Sequence, residues 1–291
     1  MLQDIVVTSL VNGSVYALLA LGFSLVFGVA RIVNVAHTAF YMLAAYAFYT
    51  LFAKLGLHFA LAGVLAVALV TAAALACYRL VIQPVREHEA AVLIATIALA
   101  LLIQEVLLFA FGGHYLGIPS TLEGAVRVAG VSVPYQRFLI LAVAAAVLVA
   151  MWALLYRTKV GLAIRCAAND LEIAALMGMN VHRVALATIG VSAALAAIAG
   201  VIVAPVFVVD PLMWLAPLVT ILAIVVLGGL GSVKGSVVGA FLIGFVEALT
   251  VFLLPRGAFR EGRGRAHAIL VIVLLVRPQG LYGIVYEEEE R

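Results

Sequence analysis

Residues 5–30, from Ile5 to Ala30, read IVVTSLVNGSVYALLALGFSLVFGVA, with no Asp, Glu, Lys, Arg or His in the run. A helix needs about 20 mostly apolar residues to cross a bilayer core, and this stretch exceeds that before Arg31 closes it. It shows no period-two alternation, the pattern of a barrel strand. The fold is therefore read by counting such runs.

Seven more follow: Ile32–Ala53, Leu55–Tyr78, Ala90–Phe111 with Glu105 inside it, Phe138–Tyr156, Val184–Val209, Pro211–Val233 with Pro217, and Val237–Leu254 with Glu247. Ala266–Val276 is apolar but too short to span alone, so it extends into a flank or re-enters. The expectation is an all-α, polytopic integral membrane protein, with about eight transmembrane helices plus one part-length or re-entrant segment. Residues 1–291 form a single transmembrane domain in this reading, with a loop over 157–183 and an acidic tail over 287–291.

Composition agrees. Of 291 residues, 67% are hydrophobic and 11% charged, against roughly 45–50% and about 25% in soluble domains. A soluble fold of this size cannot bury that much apolar surface. This excludes a cytosolic enzyme, a disordered chain and a secreted disulfide scaffold. The net charge of +3 carries no nucleic-acid signature. Cys77 and Cys166 stand alone, with no metal-ligand spacing and no paired motif.

Met1–Leu10 lacks a basic leader region and carries Asp4, so the first run is expected to be a retained span. With the N-terminus outside, ten of the 17 Lys and Arg face the cytoplasm: Arg31, Arg79, Arg86, Arg157, Lys159, Arg165, Arg183, Lys234, Arg277 and Arg291. The bias follows the positive-inside rule, although four of the seven outward cations crowd into Pro255–Arg265. Gly112–Gln136 is the longest external loop, and its 126–133 stretch alternates around a glycine as a small hairpin would. The tail Glu287–Glu290 is a solvated acidic run.

Enzyme motifs fall short. His88-Glu89 would need a second His at position 92, where Val92 stands. Gly228-Gly229-Leu230-Gly231-Ser232-Val233-Lys234-Gly235 is glycine-rich, but its Lys234 is followed by Gly235, not by Ser or Thr, so it is no phosphate-binding loop. Gly228, Gly229 and Gly231 read instead as a tight hinge between two helices. Ionisable groups at membrane depth are costly and often functional. His37, Glu105 and Glu247 are the candidates, with Asn12, Asn34, Thr96 and Gln104 as polar companions. The spacing of Ser236, Ala240 and Gly244, and of Ala196, Gly200 and Ala204, suits close helix packing.

The loop Arg157–Arg183 is more than a connector. Asn169 followed by Glu172 gives a capping pattern, Asp170 and Glu172 suit a first helical turn, and Gly178 supplies a stop. Asp170–Met177 therefore reads as a short helix, with Leu171, Ala174 and Ala175 on one face. Such a small-residue face fits a groove on another protein; an amphipathic helix resting on lipid is the competing reading.

At this loop the chain resembles the permease subunits of branched-chain amino-acid ABC importers. The resemblance rests on Thr158–Arg165 through Ala168, Asp170, Ala174 and Gly178, on Tyr16–Gly22 and Gly28–His37, and on Val226–Ser232 and Arg277–Leu281. It implies that Gly161, Arg165, Ala168, Asp170, Glu172, Ala174 and Gly178 belong to a coupling loop that docks on an ATPase. It further implies a second, related permease subunit in a heterodimer, two ATP-binding subunits, an external solute-binding protein and a bacterial inner-membrane location. The chain itself does no bond chemistry and binds no cofactor in this reading; ATP and Mg are used by the partner subunits. The lining of the pathway is expected to be apolar, with Asn34, His37, Thr96 and Gln104 as its polar groups. An ATPase-independent carrier or channel is the alternative; it predicts coupled sets of membrane acids and bases, or paired broken helices.

Overall fold

In the computed structural model, residues 2–119, 124–128 and 131–253 are described. They are almost wholly helical. The chain runs through α1 (Leu2–Ala30), α2 (Ala36–Tyr49), α3 (Phe59–Cys77), α4 (Glu89–Phe111), a two-stranded hairpin of β1 (Ala125–Val128) and β2 (Val131–Pro134), then α5 (Tyr135–Arg157), α6 (Lys159–Asn169), α7 (Leu171–Leu176), α8 (Val181–Val203), α9 (Leu215–Gly228) and α10 (Val233–Leu253). One wide turn, Thr50–Lys54, prolongs α2, and Tyr78–Val85 prolongs α3. The hairpin is antiparallel, with Val126 opposite Val133.

The protein is a multi-pass membrane protein. Among the described residues, six helical segments are long and apolar enough to cross a bilayer: Gln3–Ala30, Phe59–Val85, Glu89–Phe111, Tyr135–Arg157, Val181–Val203 and Val233–Phe252. Two of the eight runs counted in the sequence do not reach that standard. At 1.5 Å per residue, the 14 residues of α9 extend about 21 Å, short of a core about 30 Å thick. Helix α2 with its wide turn runs over 36–54 and misses the standard on polarity instead, because His37, Thr38, Tyr41, Tyr46, Tyr49 and Thr50 lie within it. The run Val184–Val209 ends early as well, because α8 stops at Val203 and irregular chain occupies 204–214. Pro205 and Pro211 lie in that interval, and proline in a helix interior removes a hydrogen bond and clashes with the preceding turn. The segment Ala266–Val276, the basic loop, the Arg277–Leu281 block and the acidic tail lie outside the described residues.

Burial separates a centre from a rim. The apolar window of α1 is 83% buried and that of α8 67%, against 28% in α3 and α4 and 22% in α5. Helix α1 packs on α10, α8, α5 and α9, while α8 packs on α2 and α3. Small residues make this close approach possible, since apolar side chains gain little in leaving lipid for protein. A methyl group on Gly244 would lie 2.7 Å from the Gly13 nitrogen, so α1 and α10 touch backbone to backbone. On α8, a methyl at Gly200 would run into the Tyr41 carbonyl of α2. Both small-residue series expected from the sequence thus sit at helix contacts, with Ala196, Ala240 and Ser236 fully buried.

Candidate functional site

The break between α8 and α9 borders a cavity of about 580 Å³, which reaches from the helical core to the exposed side chains of Phe207, Val208 and Leu212. Its apolar wall includes Val15, Leu19, Val203 and Met213; Asn12, Tyr16, Tyr41 and Thr220 add polar groups. Two carboxylates line it: Asp210, on the irregular stretch, and Glu247, on α10. Chain without helical hydrogen bonds is tolerated at membrane depth where it is buried in protein or lines such a cavity. Asp210 stabilises the bend itself, its Oδ1 accepting from the Leu212 nitrogen at 2.9 Å. Glu247 is held by the Tyr16 hydroxyl, which donates to Oε2 at 2.8 Å. The residue before Asp210 is pinned from outside: Val209 and Leu116 exchange two backbone hydrogen bonds, each of 3.0 Å.

Asn12 and Glu247, singled out in the sequence, thus line the cavity, whereas the four polar residues expected along the pathway lie elsewhere. Asn34 and His37 share a void of only about 10 Å³. His37 is 1% exposed and both ring nitrogens are engaged. With the proton on Nε2, that nitrogen donates to the Leu19 carbonyl at 3.1 Å and Nδ1 accepts from the Ser192 hydroxyl at 3.1 Å. Thr96 bridges α4 to the turn after α1, accepting from the Val35 nitrogen at 3.3 Å and donating to the Leu93 carbonyl at 3.0 Å. Gln104 accepts from the Trp214 indole at 2.8 Å and so ties α4 to the start of α9. Only Asn34 and His37 come together. Asp210 is inconspicuous in the sequence because it stands between the apolar runs Val184–Val209 and Pro211–Val233; Pro205 and Pro211, on either side of it, are the available signal.

At the opposite end of α9 the chain turns sharply. Gly229 and Gly231 have φ of +96° and +80°, a region that disfavours side chains. Gly228 lies against Gly235 so closely that a Cβ on either would strike the other's backbone. This turn meets the end of α1, where Gly28 faces Gly231.

The α6–α7 segment stands at this same end. Thr158 caps α6, donating to the Leu154 carbonyl and accepting from the Gly161 nitrogen at 3.0 Å. Gly161 permits the fold-back, because a Cβ there would collide with the Leu154 carbonyl. Arg165 donates through Nε to the Leu155 carbonyl at 3.0 Å and lays its guanidinium over Tyr156, 4.7 Å from the ring centre. Ala168 sits beside Gly28, its carbonyl 3.5 Å from the Arg31 guanidinium. The cap of α7 is Asp170, not Asn169: its Oδ1 accepts from the nitrogens of Glu172 and Ile173, both at 2.9 Å, while Asn169 is the last residue of α6. Gly178 ends the turn at φ +82°, with its nitrogen bonded to the Ala175 carbonyl at 3.0 Å.

The orientation of α7 corrects the expected docking face. Of that face only Ala174 turns inward, 2% exposed and packed into the core, while Leu171 and Ala175 are exposed. Ile173, Leu176 and Met177 point outward instead, at 56%, 87% and 78% exposure. Glu172 is exposed beside them. Of the residues expected in this loop, Gly161, Arg165, Ala168 and Ala174 hold it to the helices, whereas Asp170 and Gly178 shape α7.

A family model described as branched-chain amino acid transport system / permease component matches residues 5–276. The high-affinity branched-chain amino acid transport system permease protein LivH of Escherichia coli K12 is 29% identical over 286 residues, covering 93% of this chain and 92% of that protein. The corresponding permease protein BraD of Pseudomonas aeruginosa is 30% identical over 292 residues, covering 95% and 94%. A probable branched-chain amino acid transport permease protein LivH of Methanocaldococcus jannaschii is 25% identical over 301 residues, covering 97% and 93%. Among solved structures, PsaBC from Streptococcus pneumoniae in complex with Fab superposes with a TM-score of 0.52 at 17% identity, covering 94% of this chain and 91% of that one. That likeness is one of fold.

Proposed function

Because the chain belongs to the permease-component family of branched-chain amino acid transport systems, we propose that it is the membrane-spanning permease subunit of an ATP-driven importer, carrying branched-chain amino acids across a bacterial inner membrane. The observation that carries this is the family match over residues 5–276. The chain pairs with a second permease subunit, two ATP-binding subunits sit below, and an external binding protein delivers the solute. ATP and Mg are bound by the partners. The α6–α7 end faces the cytoplasm, and the cavity beside Asp210 and Glu247 is the transit site.

In this reading α7 is the coupling helix, and its outward side chains are the contact. An apolar tip of Ile173, Leu176 and Met177 on a polar loop suits a groove on a partner protein. The capped, glycine-terminated helix is rigid enough to pass a push from that partner to α6. From there it reaches the α1 end through Ala168 and Gly28.

The test is uptake of labelled leucine, isoleucine and valine into liposomes holding the complete importer. Uptake is expected only with both ATP and the loaded binding protein. Active uptake by the permease alone would overturn the ATP-driven reading in favour of a carrier. Replacing Leu176 and Met177 together with Asp should leave abundance and melting unchanged, since exposed positions shift stability by about 0.5 kcal/mol or less. ATPase stimulation by loaded binding protein should vanish; wild-type stimulation in that variant would place the coupling contact elsewhere. The Asn34, His37, Thr96 and Gln104 set enters this proposal as support for the helices around the pathway.

A further inference from the structure

We propose that the cavity at the α8–α9 break binds its solute by an ammonium group, with the Asp210 and Glu247 carboxylates as acceptors and the Tyr41 hydroxyl as an added polar contact. This rests on the reading of that cavity as the transit site, and it names the chemistry the site selects.

The first argument is sign. Both ionisable side chains on the cavity wall are acids, and among the described residues no Lys, Arg or His lines it. A carboxylate entering there would meet like charge in a weakly screening interior, where charges interact more strongly than in water. An ammonium would meet opposite charge. The amino end of an amino acid is therefore the end this wall can hold.

The second argument is construction. The two acids come from different elements, an irregular stretch and a helix, and each is positioned by a protein hydrogen bond, Leu212 to Asp210 and Tyr16 to Glu247. Oriented acceptors in a cavity of a few hundred cubic ångströms are the pattern of a small-molecule site. Tyr41 lines the same space and is 5% exposed, so its hydroxyl is a polar group of the cavity wall. A hydroxyl on such a wall can hydrogen-bond a solute in the cavity. His37 shows the contrast, since its nitrogens are used by the protein.

The third argument is the rest of the wall. Val15, Leu19, Val203 and Met213 offer a surface for an aliphatic chain. A primary amine on a branched aliphatic chain satisfies both parts, and the carboxylate of an amino acid then lies away from the two acids. Asp210 and Glu247 are thus specificity-determining residues of the permease itself, separate from any selection by a binding protein.

The test uses the complete importer in nanodiscs with the binding protein left out. The probes are 3-methylbutylamine, 4-methylpentanoate and L-leucine, with affinities from saturation-transfer NMR. The amine and leucine are expected to bind, and the acid to bind at least about tenfold more weakly, the scale set by like against opposite charge at a desolvated contact. Glu247→Gln, which keeps an acceptor for Tyr16, and Asp210→Asn, which keeps one for Leu212, should each weaken the amine by a similar factor. Acid binding as tight as amine binding overturns the proposal, as does wild-type amine affinity in both variants. The probe panel on the wild-type importer decides the matter even if a variant fails to fold. Leucine uptake by the full system without any amine preference would remove this inference and leave the transport reading standing. Amine binding without uptake of any branched-chain amino acid would do the reverse.

Discussion

His37 and Glu247 are both ionisable side chains set among membrane-length helices, yet their surroundings differ in kind. Around His37 the protein closes. Leu19 and Ser192 take both nitrogens, Gly22 leaves just enough room for the ring, and the adjoining void is about 10 Å³. Around Glu247 the protein opens. One oxygen is held by Tyr16, and the residue faces about 580 Å³ of space with a second carboxylate on its wall. Polarity at membrane depth therefore has two meanings here. A group whose hydrogen bonds are all made by the protein fastens helices together, and a group that lines a cavity is available to something passing through.

This contrast can be broken by mutation. The largest stability effect is expected from His37→Ala, which removes the bonds to the Leu19 carbonyl and the Ser192 hydroxyl and leaves a hole. The loss should be about 2–4 kcal/mol, seen as a lower unfolding midpoint in detergent. A variant that melts like wild type but no longer transports would show that His37 belongs to the pathway after all. Gly22→Ala comes next. Its methyl would lie 2.9 Å from the His37 ring and 3.1 Å from the Ser192 carbonyl, and overpacking of this kind costs about 1–3 kcal/mol. Retention of wild-type stability there would mean that the ring has slack. The smallest stability change belongs to Thr220→Leu, inside the cavity. Its hydroxyl bonds to the Ala216 carbonyl of its own helix and its side chain lines the cavity, so the added carbons have room and the stability loss should stay at the low end of the overpacking range, about 1 kcal/mol. Leucine uptake should nevertheless fall, because the larger side chain fills the cavity. Unimpaired uptake would move the transit path away from this space.

Much of the helical layout was legible because charge ends apolar runs: Arg31, Lys54 and Arg157 each stand at or within a few residues of a helix end. The hairpin was legible too, from alternation about a glycine. What composition could not show was that 204–214 leaves the helix while staying apolar. Apolarity reports the surroundings of a residue and not its backbone. The two prolines carried the conformational signal, and Asp210 between them carried the chemical one. In the α7 region, Gly178 was read correctly as the stop. The outward face was legible only in part, with Leu171 and Ala175 exposed and Ala174 buried, since a six-residue helix has too few positions for periodicity to tell which side the core takes. Ala174 is on the packed side, so Ala174→Trp would disturb the permease interior and say little about docking.

The paired backbone of Leu116 and Val209 works as a crossbar between the segment after α4 and the chain that presents Asp210. Val209 is fully enclosed, and both of its polar backbone atoms are committed to Leu116. The neighbouring carboxylate therefore cannot slide lengthwise by itself: either two hydrogen bonds break, at about 1 kcal/mol each, or residues on both sides of the bar travel together. Any rearrangement that carries Asp210 away from the cavity is thus registered on the surface segment that holds Leu116.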